Sequence, residues 1–406
     1  MRLVLAALWM VLGLGCVRAT AQSSFTLDGD LDVRWVHTSG ETSFLNGGYG
    51  LLRFDPEHDG LVLGRAFLAP TWRITDIVSL HAVIDTYGDH NRNPVDLSEC
   101  YLDIKPFPSS ALRWRAKLGA FYMPISLENR GPGWTDVYSI TPSAVNSWIG
   151  EEFRTIGAEF ELRWLGASSG YLGDLALVGA VYGWNEPAGS LLAEQGFTLS
   201  DRSSTLFGYL SSPPIGFYHE VDRNPGYYAG VSWHHHDRLE IRALHYDNRA
   251  DPYAQTLSGF YAWHTQFNSA GARFEPGEHW TFIAQALDGS TSTAADEPDE
   301  PLFLMRYRAA FALASFEWNK ERVTARYDEF HTHQLTDYYG GEAPGNQDGH
   351  AWTLAFTYEP SEHWQLLTEW VRATSSFPPR VELDESIIQT QSQFQLAVRY
   401  RFDLGS

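Results

Sequence analysis

Apolar and polar residues alternate with a period of two along most of this chain. The clearest segment is 393–402, QFQLAVRYRF, in which every second residue is large and apolar and glutamine, alanine or arginine lies between them. Segments 112–118 and 352–358 repeat the pattern. Such alternation predicts β-strands with one apolar and one polar face. The apolar face can point into the core of a β-sandwich, or toward lipid in a membrane barrel whose interior is wet.

The lengths of the connections distinguish these two folds. Strand pairs meet at very short turns, at 236–237, 276–277, 319–320 and 360–361, whereas the stretches between pairs are long and polar. These long stretches are 37–60, 123–150, 185–225, 289–302, 332–349 and 373–390. Short turns at one end and long loops at the other are typical of outer-membrane barrels, while a sandwich distributes its loops more evenly.

The predicted fold is therefore all-β: a transmembrane antiparallel β-barrel of about 16 strands, with short periplasmic turns and long extracellular loops. The expected strands are 25–36, 61–72, 76–87, 97–106, 111–122, 151–164, 174–184, 226–235, 238–248, 257–275, 279–288, 303–318, 321–331, 350–359, 362–372 and 391–402. The first and last strands are expected to pair, because closure leaves no exposed sheet edge.

The first residues predict the compartment. Residues 1–21 have a basic start, an apolar stretch and a small-x-small end at Ala19–Ala21, which is the pattern of a cleaved secretory signal peptide. Residues 22–406 are then expected to form the barrel, in the outer membrane of a Gram-negative cell. Removal of the leader leaves Cys100 as the remaining cysteine, so no intramolecular disulfide is expected.

The composition narrows the function. With 29 basic and 50 acidic residues the chain has a net charge of −21, which excludes a broad electrostatic grip on nucleic acid. Aromatic residues make up 14% of the chain, as an interfacial girdle requires. The sequence contains no phosphate-binding glycine loop, no GxSxG and no HExxH motif. We therefore expect no catalytic residues, no metal site and no cofactor.

The alternation also assigns charged residues to the lumen, as those out of phase with the large apolar ones. Most acidic residues fall in loops, which predicts a balanced to mildly basic lumen under an acidic rim. The candidate pore-lining or constriction residues are Arg65, Arg113, Arg115, Lys117, Glu128, Arg130, Asp136, Arg306, Arg308 and Arg326.

Arg113, Arg115 and Lys117 form a ladder of positive charge along one predicted strand. One interpretation is that the ladder passes anions from site to site. The other is that its members pair with acidic residues of neighbouring strands, for which the candidates are Glu99, Asp103, Glu159 and Glu161. Arg399 and Arg401 are expected to pair with Asp28, Asp30 or Asp32 across the closing seam.

Segment 97–164 resembles the phosphate-selective (polyphosphate-selective) porins of Gram-negative outer membranes. The similar stretches are YLDIK at 101–105, KLGAFYMPISLE at 117–128, TPSA at 141–144 and RTIGA at 154–158. In that family the segment leads into a third loop that folds into the barrel and narrows it. The resemblance implies a sixteen-stranded porin, a homotrimer, an inward-folded loop at 123–150 and a constriction lined with basic residues. The loop departs from the family pattern because its one basic residue is Arg130.

The leading hypothesis is a porin, a passive channel for small hydrophilic solutes with a mild anion (phosphate-like) preference. Its expected partners are outer-membrane lipids, lipopolysaccharide and the solutes themselves. The alternative is an outer-membrane barrel hydrolase, a protease or lipase, in which His331 or His333 acts with Asp337 as an acid/base pair.

Overall fold

The structure is a computed structural model, and it describes residues 24–89, 95–210, 216–236, 238–257, 259–293, 303–336 and 345–405. The predicted signal peptide lies outside these residues. Among the described residues, no helix is both long and apolar enough to cross a membrane.

Eighteen strands are present in the described part of the chain. They are β1 (Ser24–Ser39), β2 (Gly60–Arg73), β3 (Val78–Thr86), β4 (Asp96–Ile104), β5 (Leu112–Phe121), β6 (Asn129–Gly131), β7 (Thr135–Asp136), β8 (Thr155–Trp164), β9 (Asp174–Gly183), β10 (Gly226–His235), β11 (Leu239–Asp247), β12 (His264–Phe274), β13 (Trp280–Thr293), β14 (Phe303–Trp318), β15 (Glu321–Gln334), β16 (Gln347–Tyr358), β17 (Trp364–Ser376) and β18 (Ile388–Gly405). All except β6 and β7, which form a small hairpin between β5 and β8, belong to one closed antiparallel barrel of 16 strands.

The predicted barrel and its closure are confirmed. β1 pairs with β18 along almost its whole length, with Leu31 opposite Tyr400 and Val33 opposite Val398. Two predicted strands begin at least four residues later than expected. The strand expected from 151 begins at Thr155 because a helix occupies the preceding residues, and the strand expected from 257 begins at His264.

The outer surface of the barrel is apolar where the alternation is clearest. On β18, Leu396 and Val398 are exposed, whereas Gln395 and Arg399 on the opposite face are buried. Trp280 and Trp364 begin β13 and β17 and are half exposed, as expected for an aromatic girdle at the end of the short turns. A closed barrel pairs the backbone polar groups within the sheet, which the lipid interior requires.

Two long loops fill part of the interior. The loop between β5 and β8 contains helix α1 (Ala144–Glu152), and the loop between β9 and β10 contains helix α2 (Ser190–Gln195). Trp148 of α1 packs against Phe197, Phe267 and Tyr307, with ring centroids 4.8–5.8 Å apart. The inward face of β14, with Met305, Tyr307, Phe311 and Leu313, is therefore apolar and buried, because it packs against folded-in loops instead of facing water.

Candidate functional site: a charged constriction inside the barrel

A narrow gap separates the loop between β5 and β8 from the barrel wall formed by β1, β2 and β18. We call this gap the constriction. Its lining residues are Asp30, Asp32, Arg34, Arg65, Trp134, Thr135, Asp136, Ile140, Pro142, Asp201 and Arg399. The gap is small, with a volume of about 20 Å³.

Ion pairs line the wall side of the constriction. The period of β1 points Asp32 and Arg34 inward, and Arg34 Nε lies 2.8 Å from Asp32 Oδ1. Arg399 of β18 places Nη2 2.8 Å from Asp32 Oδ2 and Nε 3.7 Å from Asp30 Oδ2. The predicted pairing of Arg399 across the seam is therefore present. Arg401, by contrast, pairs with Glu359, at 3.1 Å.

Asp201, from the loop between β9 and β10, completes this network. Its carboxylate lies 2.7 Å from Arg34 Nη2 and 3.1 Å from Arg53 Nη1. Burial raises the pKa of Asp201, but the two guanidinium groups outweigh it and hold the pKa well below its ordinary value. Sequence reasoning did not single out Asp201 and Arg53, because both lie in loops, where no alternation marks an inward side chain.

Arg65 connects the wall to the loop. Its Nε lies 2.6 Å from Asp85 Oδ1, while Nη1 donates to Thr135 Oγ1 at 2.7 Å and Nη2 to the Gly133 carbonyl at 2.8 Å. Gly133 has a φ of 58°, and a Cβ there would lie 2.2 Å from Arg65 Nη2. Glycine suits this position because the backbone lies in the left-handed region and a side chain would displace the Arg65 guanidinium.

A second anchor, on β15 and β17, holds the same loop. Arg326 of β15 lies 2.8 Å from Asp328, and its Nη groups donate to the carbonyls of Thr141 and Pro142, each at 2.8 Å. Glu128 and Asp136 of the loop lie 3.5 and 3.7 Å from Arg326 Nη1. Arg326 and Glu128 are fully buried, so these two predicted pore residues meet behind the loop, away from the constriction. Asp136 lines the constriction and also belongs to this anchor through its contact with Arg326.

Glu369 of β17 strengthens this anchor. Its carboxylate accepts hydrogen bonds from Ile140 N at 2.6 Å, Thr141 N at 3.0 Å and Thr141 Oγ1 at 2.6 Å. Asp328 accepts another from Ala144 N at 3.1 Å. Hydrogen bonds to a buried carboxylate are among the stronger polar contacts in proteins. Charged side chains of β15 and β17, together with Arg65 of β2, therefore hold the loop in place.

Two members of the predicted basic ladder are paired. Arg115 lies 2.6 Å from Asp103, and Lys117 lies 3.0 Å from Glu159. Arg113 is exposed and makes no ion pair with the described residues. These contacts favour the interpretation that acidic neighbours neutralise the ladder. Arg130, the predicted pore residue of the loop between β5 and β8, is also paired, because its Nη2 lies 3.0 Å from Glu240 Oε2.

The face predicted for Arg306 and Arg308 is wrong. Both side chains are exposed on the outer wall, and their neighbours Met305 and Tyr307 point inward and are buried. The prediction assumed that the large apolar residues of a strand face lipid. On β14 they pack against the folded-in loops, so the alternation is inverted and the arginines face outward.

The alternative of a hydrolase finds little support in the placement of its histidines. His331 and His333 lie on the outer wall with Arg306 and Arg308. His331 Nδ1 lies 2.7 Å from Asp348 and Nε2 lies 2.9 Å from Glu329. With carboxylates at both ring nitrogens, this imidazole has no nitrogen free for a nucleophile's proton. Asp337 lies outside the described residues.

Glu152 links the two interior loops and predicts a pH dependence. Its carboxylate accepts hydrogen bonds from Trp148 Nε1 at 2.8 Å, Gly189 N at 2.5 Å and Leu192 N at 3.1 Å. Burial raises the pKa of Glu152 to about 7, and burial shifts the pKa of Glu151 in the same direction. Because the packed arrangement binds the proton more tightly than a solvated carboxyl, its stability is fully present below the ordinary pKa and is lost as pH rises through about 7.

We therefore expect the conductance of the barrel to fall when the pH is lowered from 8 to 5, since protonation stabilises the packed loops. Glu152→Gln is expected to flatten this dependence. The measurement is single-channel conductance of both proteins in planar bilayers at the two pH values. A conductance of the unmodified protein that rises on acidification contradicts the assignment.

The barrel is similar to solved outer-membrane channels. It aligns with the outer-membrane channel DcaP of Acinetobacter baumannii at a TM-score of 0.57 and 12% identity, covering 95% of this chain and 99% of that one. OmpF of Salmonella typhi, in a complex with daunomycin, aligns at 0.55 and 11%, covering 93% and 97%. The anion-selective porin of Comamonas acidovorans aligns at 0.53 and 12%, covering 94% and 100%. No protein-family model and no curated protein matches the chain. Because these identities are only 11–12%, the similarity shows that this chain shares the fold of these proteins and nothing more.

Proposed function

We propose that this protein is an outer-membrane porin, a passive diffusion channel for small hydrophilic solutes. The observation that carries the proposal is the constriction itself, a charge-lined gap between a folded-in loop and the wall of a closed barrel. Fixed charges at a narrow point set which solutes pass such a channel. The similarity in fold to solved porins and channels supports the same function.

The charges of the constriction favour weak selectivity by sign. Three arginines and four aspartates line it, and each arginine lies within ion-pair distance of at least one aspartate. A mild preference for anions such as phosphate would have to come from the vestibule at the end of the short turns. There Arg113 is exposed beside Arg163 of β8. We propose a nearly unselective constriction, with any anion preference set by that vestibule.

The proposed setting follows from the outer surface. The apolar exterior and the exposed tryptophans at the turn end suit a lipid bilayer, and the leader-like first residues suit export to the outer membrane. The partners we propose are outer-membrane lipids, lipopolysaccharide and small solutes, with a homotrimer as the assembly.

The test is the conductance of the refolded full chain in planar bilayers under a potassium chloride gradient. We expect discrete, small conductance steps and a reversal potential near zero. Heat-denatured protein in the same detergent is the control for detergent-induced leaks. Protein that inserts without forming conducting pores contradicts the proposed function.

A further inference from the structure

A row of alanines crosses the outer wall of the barrel from β11 to β14. Ala243, Ala270, Ala286 and Ala310 lie directly opposite one another on consecutive strands, and all four are exposed. We call them the alanine row. Together with the residues around them they line an open groove of about 850 Å³ on the exterior. Much of the barrel surface elsewhere carries leucine, valine or aromatic side chains at exposed outward positions.

A polar row lies on the same strands, two residues closer to the long loops. Its members are His245, Asn268, Asp288, Arg308, His331 and Asp348, each opposite the next across β11 to β16. Glu329 stands opposite Ala310, so it continues the alanine row onto β15 and lies beside Arg308 and His331 of the polar row. This row contains both signs of charge at one register position.

The polar row begins within the apolar band of the barrel. Tilted strands gain roughly 2.5 Å of height per residue, and the band is about 25 Å tall. Asn268 lies six residues from Phe274 at the turn end of β12, and Arg308 lies eight residues from Phe316 on β14, or roughly 15 and 20 Å higher. On β18, the residues six and eight positions from Phe402 are Leu396 and Phe394, so the same heights carry apolar side chains there. Ionisable side chains at such depth normally face protein or water instead of lipid.

We propose that a second copy of this chain covers the alanine row and the polar row. Small residues let membrane-embedded surfaces approach closely, so the alanines suit a packed protein wall. Copies related by an axis along the membrane normal keep the same depth, so Arg308 of one copy can meet Asp288 or Glu329 of its neighbour. A phosphate-bearing lipid suits the groove less well, because Asp288, Glu329 and Asp348 lie beside the arginine. The proposal rests on the membrane setting of the proposed function and does not require that the barrel conducts.

Cysteine cross-linking in membranes tests the contact directly. In a Cys100→Ser background, Ala286→Cys and Ala310→Cys are expected to give a species of two chains with a short bis-maleimide. Ala158→Cys is the matched control, because this alanine is also exposed and outward-facing but lies on β8, between Leu118 and Val181. Cross-linking at 158 without cross-linking at 286 or 310 would overturn the proposal. Conductance, measured separately, decides the proposed function.

Bulky and charge-reversed variants test what covers the groove. Ala310→Trp is expected to reduce the detergent-extracted assembly to the mass of one chain in native mass spectrometry, while Ala158→Trp leaves it intact. Arg308→Glu is expected to weaken the assembly, and Arg308→Glu with Asp288→Arg to restore it. Heat-dependent gel mobility shows that each barrel is folded. A single chain that carries lipopolysaccharide, and loses it in Arg308→Glu, would overturn the proposal in favour of a lipid.

Discussion

Replacement of Arg326 by methionine is expected to raise the single-channel conductance several-fold and to lower the heat stability of the barrel. Arg326 is fully buried, and three carboxylates, those of Asp328, Glu128 and Asp136, lie within 4 Å of it. Loss of one partner from a buried ion network typically costs about 3–5 kcal/mol, because the remaining charges stay buried without compensation. The loop also loses the bonds to its Thr141 and Pro142 carbonyls. A loop released from this anchor should widen the constriction.

Two variants separate loop release from general destabilisation. Arg401→Met removes a half-exposed pair with Glu359, which is worth about 0–1 kcal/mol, and should leave conductance and stability close to normal. Glu369→Gln keeps the side-chain shape but weakens the bonds from Ile140 and Thr141, so it should raise conductance with a smaller loss of stability. Unchanged conductance in Arg326→Met, despite reduced heat stability, would show that this anchor does not control the pore.

The fold was predictable because lipid imposes a simple rule on strands. Every backbone polar group must be paired and every lipid-facing side chain must be compatible with hydrocarbon, so the alternation persists over whole strands. The closing pair of β1 and β18 shows this in its register, where Leu31 and Val33 meet Tyr400 and Val398. The helix before β8 was missed because the contacts that favour α1 are with distant strands, such as those of Trp148 with Phe267 and Tyr307.

The constriction was only partly predictable. Arg65 and Asp136 do border it, but Asp201 comes from a loop whose inward direction has no periodic signal. The wrong face assigned to Arg306 and Arg308 has a physical cause in β14. There the large apolar residues Met305, Tyr307, Phe311 and Leu313 pack inward against the loops, and the residues that alternate with them are Arg306 and Arg308, followed by Ala310, Ala312 and Ala314. The signal was present in the sequence, since a row of alanines on one face is as informative as a row of large side chains on the other.

Neutralising single charges at the constriction is expected to shift ion selectivity in opposite directions. Asp201→Asn removes one carboxylate and leaves Arg34 with Asp32 as its remaining partner and Arg53 without its closest carboxylate. Its reversal potential in a potassium chloride gradient should move toward the chloride equilibrium potential. Arg399→Gln removes the positive charge beside Asp30 and Asp32 and should move the reversal potential toward the potassium equilibrium potential. Both shifts should persist at moderate salt, because buried charges are screened less than exposed ones.

The opposite signs make this pair of variants informative. Glu57→Gln, an exposed change in the loop after β1, removes the same charge as Asp201→Asn from a side chain outside the buried ion pairs, so it should leave the reversal potential nearly unchanged. If Asp201→Asn and Arg399→Gln both shift the potential in one direction, a general opening of the pore is the cause, and the ion pairs do not set selectivity. If neither shifts it while Arg113→Gln does, ions are selected in the vestibule at the turn end. Opposite shifts place the selective point between β1, β18 and Asp201, where three arginines and four aspartates line the constriction.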